Sequence, residues 1–334
     1  ARTTARRTAI HGTYRSGAVR HPREQSPGQT YRQRAPRRAA GLTETTMTSR
    51  LHRPERPHPI ALTDRDRAIV ADVAHFGVLT GAHLRALHFA TVGLRAAQAR
   101  LRRLFEHRLL DRLFFPRVLT TDGPREAMTP VYCVGPRAGD LVRDVDAVRA
   151  HVDASALQHD LVAVDLLVAL RLAFCNAVQT QPEHALWRCV AAARAAQPTL
   201  PRVVVPDAAF TIPSGSFAVE VVRASARGGN RSVVDKLARY AKLHHAGALA
   251  RVFGWKRLRA VLVLTPTSAR AKHLRDLASR TLTFGRSLFW FGHYERTARV
   301  GVPDTVFDGA SITTALFASI TGDPRSLSSL PSHV

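Results

Sequence analysis

A helical spacing of apolar residues begins abruptly at Leu62, after a long stretch that shows no such spacing. Three successive helices are predicted, at residues 64–76, 80–89 and 94–107, and Gly77 ends the first. Threonines are placed to cap the first two. The third helix carries an apolar stripe that we expect to be buried, formed by Leu94, Ala97, Leu101, Leu104 and Phe105.

Two β-prone runs, 110–115 and 130–134, follow these helices and are joined by a polar turn. Three short helices and a hairpin in this order predict a winged helix-turn-helix over residues 59–136. A solvated arginine face is the alternative for the third helix, but arginine is densest on the one helix that this fold inserts into the major groove of double-stranded DNA. The predicted DNA-binding residues are Arg95, Gln98, Arg102 and Arg103, with Arg117 and Arg125 on or beside the wing.

Residues 137–157 are polar and weakly periodic, which is typical of a linker. Residues 158–296 then predict the order αβββαβ with one further helix. The elements are a helix at 159–174, strands at 186–190, up to 210 and at 217–222, a helix at 233–248, a strand at 260–265 and a helix at 269–282. A capping box of Ser232 and Asp235 marks one helix start, and Ser268 can cap the last helix. The predicted fold class is α+β or α/β, with an N-terminal winged helix-turn-helix followed by a restriction-endonuclease-like αβββαβ domain.

Asp207, Glu220 and Lys236 are the candidate catalytic residues of this second region. Asp207 ends one predicted strand and Glu220 lies in its hairpin partner, so their carboxylates can converge as ligands of one Mg²⁺ ion. A lysine commonly orients the attacking water in such a core, but Val222 stands two residues after Glu220. Lys236 on the next helix could reach the same space, and Tyr240 would share its face. Mg²⁺ is expected only if the site is active, and a degenerate core without catalysis fits the sequence equally well.

Two further acids, Asp160 and Asp165, lie on the helix predicted ahead of these strands. Either could add a carboxylate to the site or lie on the surface. A second Pro-Asp pair, at 303–304, is not followed by a comparable strand and helix, so the first pair is preferred. The chain has no P-loop and no GxGxxG, and no two histidines are separated by one residue, which excludes the His-hydrophobic-His metal site of relaxases.

The composition of the chain indicates a polyanionic partner. Lysine and arginine total 49 against 25 acids, a formal net charge of +24, and nucleic acid is the commonest partner of such a surplus. No segment is long and apolar enough to span a membrane, and three widely spaced cysteines indicate neither a zinc site nor a disulfide framework. We expect a cytoplasmic protein.

The two ends of the chain lack apolar periodicity. Residues 1–58 hold thirteen arginines and no lysine, and they are predicted to be disordered. They fit a DNA-binding arm, a targeting peptide, a cloning remnant or translation from upstream of the true start. Residues 297–334 are predicted to form a C-terminal tail.

Several runs resemble the bacterial replication-relaxation family of plasmids and integrated mobile elements. They include LTDRDRAIVADVAHFGVLTGAHLRALHF, ARLRRLFEHRLLDRLFFPR, LQHDLVAVDLLVAL, VPDAAF, FAVEVVR and DKLARYAKL, and the likeness spans residues 62–295. The resemblance implies a winged helix joined to a nuclease-like domain and a DNA-binding role in replication or mobilisation. Replication or relaxase proteins are the partners it implies. Members often carry a further acid after the glutamate strand, where this chain has Val222.

Three functions therefore remain open. The first is a DNA-binding protein of a plasmid or integrated mobile element that acts in replication or mobilisation. The second is a Mg²⁺-dependent DNA endonuclease, or nickase, that uses Asp207, Glu220 and Lys236. The third is a winged-helix transcriptional regulator whose second domain is a platform for partners.

Overall fold

The computed structural model describes residues 52–120, 124–143, 148, 156–200, 202–223, 229–293, 317–319 and 324–325. Side chains are described in these ranges except at 115–129, 176, 317–319 and 324–325. The predicted arm up to residue 51, most of the predicted linker and most of the predicted tail lie outside the described residues.

The first half of the described chain consists of three helices and a small antiparallel sheet. The elements are α1 (Asp64–Phe76), β1 (Leu79–Thr80), α2 (Gly81–His88), α3 (Leu94–Glu106), β2 (Leu110–Thr120) and β3 (Pro124–Val134). β3 lies in the middle of this sheet, paired with β1 on one side and β2 on the other. Both strands of the hairpin are longer than predicted.

Local side-chain contacts fix where α1 and α2 begin. The Thr63 hydroxyl accepts the Asp66 N–H, and the Asp66 carboxylate accepts the Thr63 N–H, which closes a capping box at α1. At α2, the Thr80 hydroxyl accepts the His83 N–H, and His83 Nδ1 accepts the Thr80 N–H. A histidine ring here takes the role that glutamate usually has in this motif.

The second half is a mixed sheet covered by helices. Its elements are α4 (Leu157–Phe174), β4 (Gln179–Pro182), α5 (Glu183–Ala196), β5 (Ala208–Ile212), β6 (Gly215–Val221), α6 (Gly229–His245), α7 (Ala248–Phe253), β7 (Leu258–Thr265), α8 (Ser268–Thr281), β8 (Phe289–His293), β9 (Phe317–Ser319) and β10 (Pro324–Arg325). The strand order is β10-β9-β8-β7-β6-β5-β4. β6, β7 and β8 run parallel to one another, and the remaining pairs are antiparallel.

One hydrophobic core joins the two halves. It contains residues of the helical part, such as Ile69, Leu84 and Leu104, together with Leu167 of α4 and Phe217 of the large sheet. α4 is apolar around almost its whole circumference, because it packs against α2 on one side and against β4, β5 and β6 on the other. The described residues from 52 onward accordingly belong to one compact unit.

The structure corrects three predicted features and adds one strand that was not predicted. Residues 186–190 belong to helix α5, where the buried residues Leu186 and Val190, four residues apart, lie on one helical face. The strand of this region is β4, a polar edge strand.

The starts of two helices also differ from the prediction. α6 begins at Gly229, so Ser232 is inside its first turn, where its hydroxyl donates to the Gly229 carbonyl. Thr267 caps α8 in place of Ser268.

Two smaller differences concern the ends of the described chain. Residues 52–58 were included in the predicted disordered arm, yet Arg53 donates to the Phe105 and Leu110 carbonyls and pairs with Asp111. In the predicted tail, β9 pairs with β8, so this part of the chain extends the sheet. No described helix is long and apolar enough to cross a membrane.

Candidate functional site

The Asp207 carboxylate is fixed at the start of β5. Asp207 was predicted to end a strand, but it directly precedes β5. Its N–H donates to the Val219 carbonyl at 3.0 Å. Its Oδ2 accepts the Val221 N–H at 2.7 Å. The main chain of the partner strand thus holds the carboxylate at the end of the β5–β6 hairpin that also carries Glu220.

Glu220 is buried in β6 and both its oxygens accept hydrogen bonds from α6. Lys236 Nζ lies 2.5 Å from Oε2, and the Tyr240 hydroxyl donates to Oε1. Lys236 and Tyr240 are four residues apart on one helical face, as the sequence predicts. The position that lysine commonly occupies holds Val222, whose side chain is buried and whose N–H donates to the Leu264 carbonyl at 2.7 Å.

A histidine that the sequence did not single out completes this cluster. His159, in the first turn of α4, places Nε2 at 3.2 Å from Asp207 Oδ2 and at 3.1 Å from the Val221 carbonyl oxygen. Its Nδ1 lies 3.4 Å from Asp160 Oδ1. The only signal in the sequence was a His-Asp pair at the start of an apolar helix. Such pairs are too common to identify a functional histidine without the contact to Asp207.

These side chains line one open cavity of about 440 Å³. Asp207, Glu220, Lys236 and His159 contribute to its wall, and so do two further acids, Asp160 and Glu183. Of the two acids predicted on α4, Asp160 therefore lies at the site. Asp165 does not, because it is buried against His83, 2.7 Å from its Nε2.

The site holds its charges at unusual pKa values. Burial, together with the Asp207 charge, raises the pKa of Glu220 to about 7, although Lys236 and Tyr240 act to lower it. Burial alone would lower the pKa of His159, but hydrogen bonds to Asp160 and Asp207 outweigh it and raise the pKa to about 10. At neutral pH the cluster therefore contains a charged imidazolium beside Asp207 and a partly protonated Glu220.

The residues predicted to bind DNA lie on the solvent side of α3. Arg95, Gln98, Arg102 and Arg103 are exposed, and the opposite face buries Ala97, Leu101, Leu104 and Phe105. Leu94, predicted as part of the buried stripe, is 48% exposed, because it lies at the first position of the helix. Arg102 pairs with Glu106 at 2.8 Å, whereas Arg100 turns inward to the buried carboxylate of Asp66.

The two arginines assigned to the wing lie in the hairpin strands. Arg117 is in β2 and Arg125 is in β3, where they pair with Ala127 and Leu119 respectively. Their side chains are outside the described residues. Their assignment to DNA stays a prediction.

A family model described as replication-relaxation matches residues 70–255, which is more than half of the 334 residues. The chain belongs to the replication-relaxation family. The match includes most of the helical part and the sheet as far as α7, and therefore both α3 and the carboxylate cluster. Membership in this family indicates a role in replication or mobilisation. The curated proteins and the solved structures that were compared gave no match.

The carboxylates of the cluster are the groups that bear on the predicted Mg²⁺ ion, which stays a prediction. Among the described residues, no group of three or more His, Cys, Asp and Glu side chains is arranged to hold a metal ion. Mg²⁺, however, commonly binds through one or two carboxylates together with water and substrate phosphates. Asp207 and Glu220 offer two carboxylates on one cavity wall, and they are the residues that could hold such an ion.

Proposed function

We propose that this member of the replication-relaxation family is a DNA-binding protein of a plasmid or integrated mobile element, acting in replication or mobilisation in the bacterial cytoplasm. In this proposal residues 59–136 form a winged helix-turn-helix. The supporting order is helix, short strand, two helices and a hairpin, with β1 paired to β3. The nuclease-like domain is assigned to residues 158–296.

The exposed face of α3 is the observation that carries this proposal. Arg95 and Arg103 are exposed and make no ion pair with the described residues, so both are available to phosphate oxygens or base edges. Arg100 and Arg53, in contrast, are held by Asp66 and Asp111 and serve the fold. The net charge of +24 adds long-range attraction for DNA.

Binding to DNA at several salt concentrations tests the proposal. The double variant Arg95→Gln/Arg103→Gln should weaken binding to a 30-base-pair duplex from the origin region of the element. It should also reduce the slope of log affinity against log salt by about 2, because each arginine neutralises one phosphate in the wild type. The charge-matched control is Lys272→Gln/Arg280→Gln, two exposed residues of α8. Equally weakened binding in both double variants would reject α3 as the DNA-binding helix.

A second candidate function, a metal-dependent endonuclease or nickase, is favoured by the shared cavity of Asp207, Glu220 and Lys236. Asp207 and Glu220 would hold Mg²⁺, which supplies an activated water and neutralises charge on the phosphate. Lys236 would orient the water or the phosphate from the position where it now meets Glu220. His159, charged beside Asp207, adds a second cation to the wall that a phosphodiester would approach.

Supercoiled plasmid separates the two candidate functions. Wild-type protein with Mg²⁺ or Mn²⁺ should nick the plasmid, and Asp207→Asn and Glu220→Gln should abolish nicking while duplex binding through α3 is retained. Nicking that is equal in the wild type and both variants would identify a contaminant. Binding without nicking would leave the DNA-binding function and remove the catalytic one.

A further inference from the structure

A second cavity, of about 680 Å³, lies at the opposite end of the β5–β6 hairpin from Asp207. The turn between these strands and the loop between α7 and β7 form its walls. Asp207 precedes β5 and Ser214 follows it, so a strand rise of about 3.3 Å per residue separates the two sites by roughly 20 Å. This cavity therefore belongs to a different surface from the carboxylate cluster.

The wall of this cavity offers hydrogen-bonding groups that the protein does not use. Ser214 is 7% exposed, and its Oγ has no hydrogen-bond partner among the described residues. Gln181 accepts the Trp255 Nε1–H at 2.8 Å through its carbonyl oxygen, which leaves its amide N–H groups as donors. A buried hydroxyl without a partner is costly in a folded protein, and because Ser214 lines the cavity, a molecule bound there can supply the missing hydrogen bond.

The rim of the cavity is cationic. Lys256 and Arg257 are both exposed, and neither forms an ion pair with the described residues. None of the residues that line the cavity is acidic. On the apolar side, Phe253 and Trp255 stack on each other with their ring centroids 4.6 Å apart. The cavity thus combines a basic rim with an apolar wall and amide groups.

The turn that carries Ser214 is held in a fixed shape. Arg259 Nε donates to the Ser214 carbonyl at 2.5 Å. Gly215 has a φ of +137°, and a Cβ at this position would lie 2.6 Å from Arg259 Cγ and 3.0 Å from the Arg257 carbonyl oxygen. Because only glycine fits both the backbone conformation and the space, the position of Ser214 relative to Arg257 is built into the fold.

We propose that this cavity binds a nucleotide unit, either a free nucleoside phosphate or one within a DNA strand. Lys256 and Arg257 bind the phosphate, and the Ser214 hydroxyl donates to a ligand oxygen. The base lies against the apolar wall and meets the amide of Gln181 and that of Gln179, which also lines the cavity. The volume is within the range of small-molecule pockets, roughly 300–1,000 Å³.

Calorimetric titration of the full chain with inorganic phosphate, dAMP and an eight-nucleotide single strand tests this site. dAMP should bind more tightly than inorganic phosphate. Lys256→Gln/Arg257→Gln should weaken nucleotide binding by about tenfold or more, since it removes two charged hydrogen-bond donors. Ser214→Ala should weaken it several-fold. Lys272→Gln/Arg280→Gln is the charge-matched control and should bind as the wild type does.

The outcomes identify the source of the ligand or reject the site. If the oligonucleotide binds and dAMP does not, and the double variant weakens that binding, the ligand is a nucleotide within a DNA strand. Equal affinity in the double variant and the control rejects the site, as does inorganic phosphate that binds as tightly as dAMP. Arg95→Gln/Arg103→Gln should keep nucleotide binding, so a failure of this site is distinguishable from a failure of the α3 proposal.

Discussion

At the scale of single residues, the carboxylate cluster pairs two acids, Asp207 and Glu220, with two bases. His159 meets Asp207, and Lys236 meets Glu220, so each acid has its own cationic neighbour. Burial acts against the charged form of all four groups. The resulting pKa shifts can be measured without knowing the ligand.

The pH dependence of stability should report the charge on His159. Its folded pKa of about 10 exceeds the ordinary value of 6.5, so its stabilising contribution is complete below pH 6.5 and is lost as the pH rises to 10. Between these values the unfolding free energy of the wild type should fall by on the order of a few kcal/mol relative to His159→Gln. Urea denaturation across this pH range provides the measurement. If the stability of the wild type and that of His159→Gln depend on pH in parallel, the charged imidazolium is contradicted. The control is His244→Gln, which replaces an exposed histidine of α6.

The Tyr240 hydroxyl should contribute to stability through its hydrogen bond to Glu220. Tyr240→Phe keeps the buried ring and removes this donor, so we expect the unfolding free energy to fall by about 1–2 kcal/mol. A double-mutant cycle checks the cause: in a Glu220→Gln background the same substitution should cost less than half as much. An equal cost in both backgrounds would assign the effect to packing.

At the scale of elements, α1 is tied to α3 by a buried ion pair. The Asp66 carboxylate caps its own helix at Thr63 and also accepts from Arg100 Nε at 2.7 Å. Asp66 is fully buried, whereas Arg100 reaches it from the surface. This one acid therefore sets both the start of α1 and the orientation of α3, the helix that we assign to DNA.

Asp66→Ala should accordingly destabilise the protein much more than Asp64→Ala. Removing the buried acid leaves Arg100 without its partner and opens the cap, at a cost of about 3–5 kcal/mol. Asp64 is exposed in the same first turn and contributes to the helix dipole, so its removal should cost about 0.5 kcal/mol. Thermal unfolding compares the two variants, and similar changes would contradict the role of the buried pair.

The prediction of an element succeeded where its apolar pattern was strong. It failed where only one face of the element, or neither face, is buried. The capped start of α1 and the end of α4 at Phe174 follow from local signals. β4 could not be predicted, because Gln179–Pro182 is a polar edge strand with one neighbouring strand. Residues 186–190 of α5 were predicted as a strand, but the alanines that follow favour a helix, and tertiary packing decides between the two.

The candidate site was likewise predictable only in part. Asp207, Glu220 and Lys236 were found from their order along strand, strand and helix, and the structure brings them to one cavity. His159 and Glu183 join them from helices that precede in the sequence, and no local pattern indicates where those helices pack. Such contacts depend on how α4 and α5 lie on the sheet.

At the scale of the whole molecule, buried polar contacts join the helical part to the large sheet. His83 of α2 meets Asp165 of α4 at 2.7 Å, and Arg171 of α4 meets Asp72 of α1 at 2.5 Å. His75 of α1 lies 2.8 Å from the Thr180 hydroxyl in β4. Together with the shared hydrophobic core, these contacts predict that residues 59–293 unfold as one unit.

Hydrogen exchange in increasing denaturant tests this cooperativity. Amides of α1 and of β7 should lose protection at the same denaturant concentration, because neither part keeps its core without α4. Asp165→Asn should lower both midpoints together. A helical part that opened well before the sheet would instead support two independent domains.

The pairing of β9 with β8 has a consequence for any shortened form of the protein. Trp290 and Phe291 of β8 are opposite Ser319 and Ala318, which occupy main-chain donors and acceptors on that side. A chain cut after His293 would leave an aromatic strand with unpaired amides open to solvent, and such strands recruit one another between molecules. Versions cut after His293 should therefore self-associate and precipitate, whereas the full chain should stay in solution.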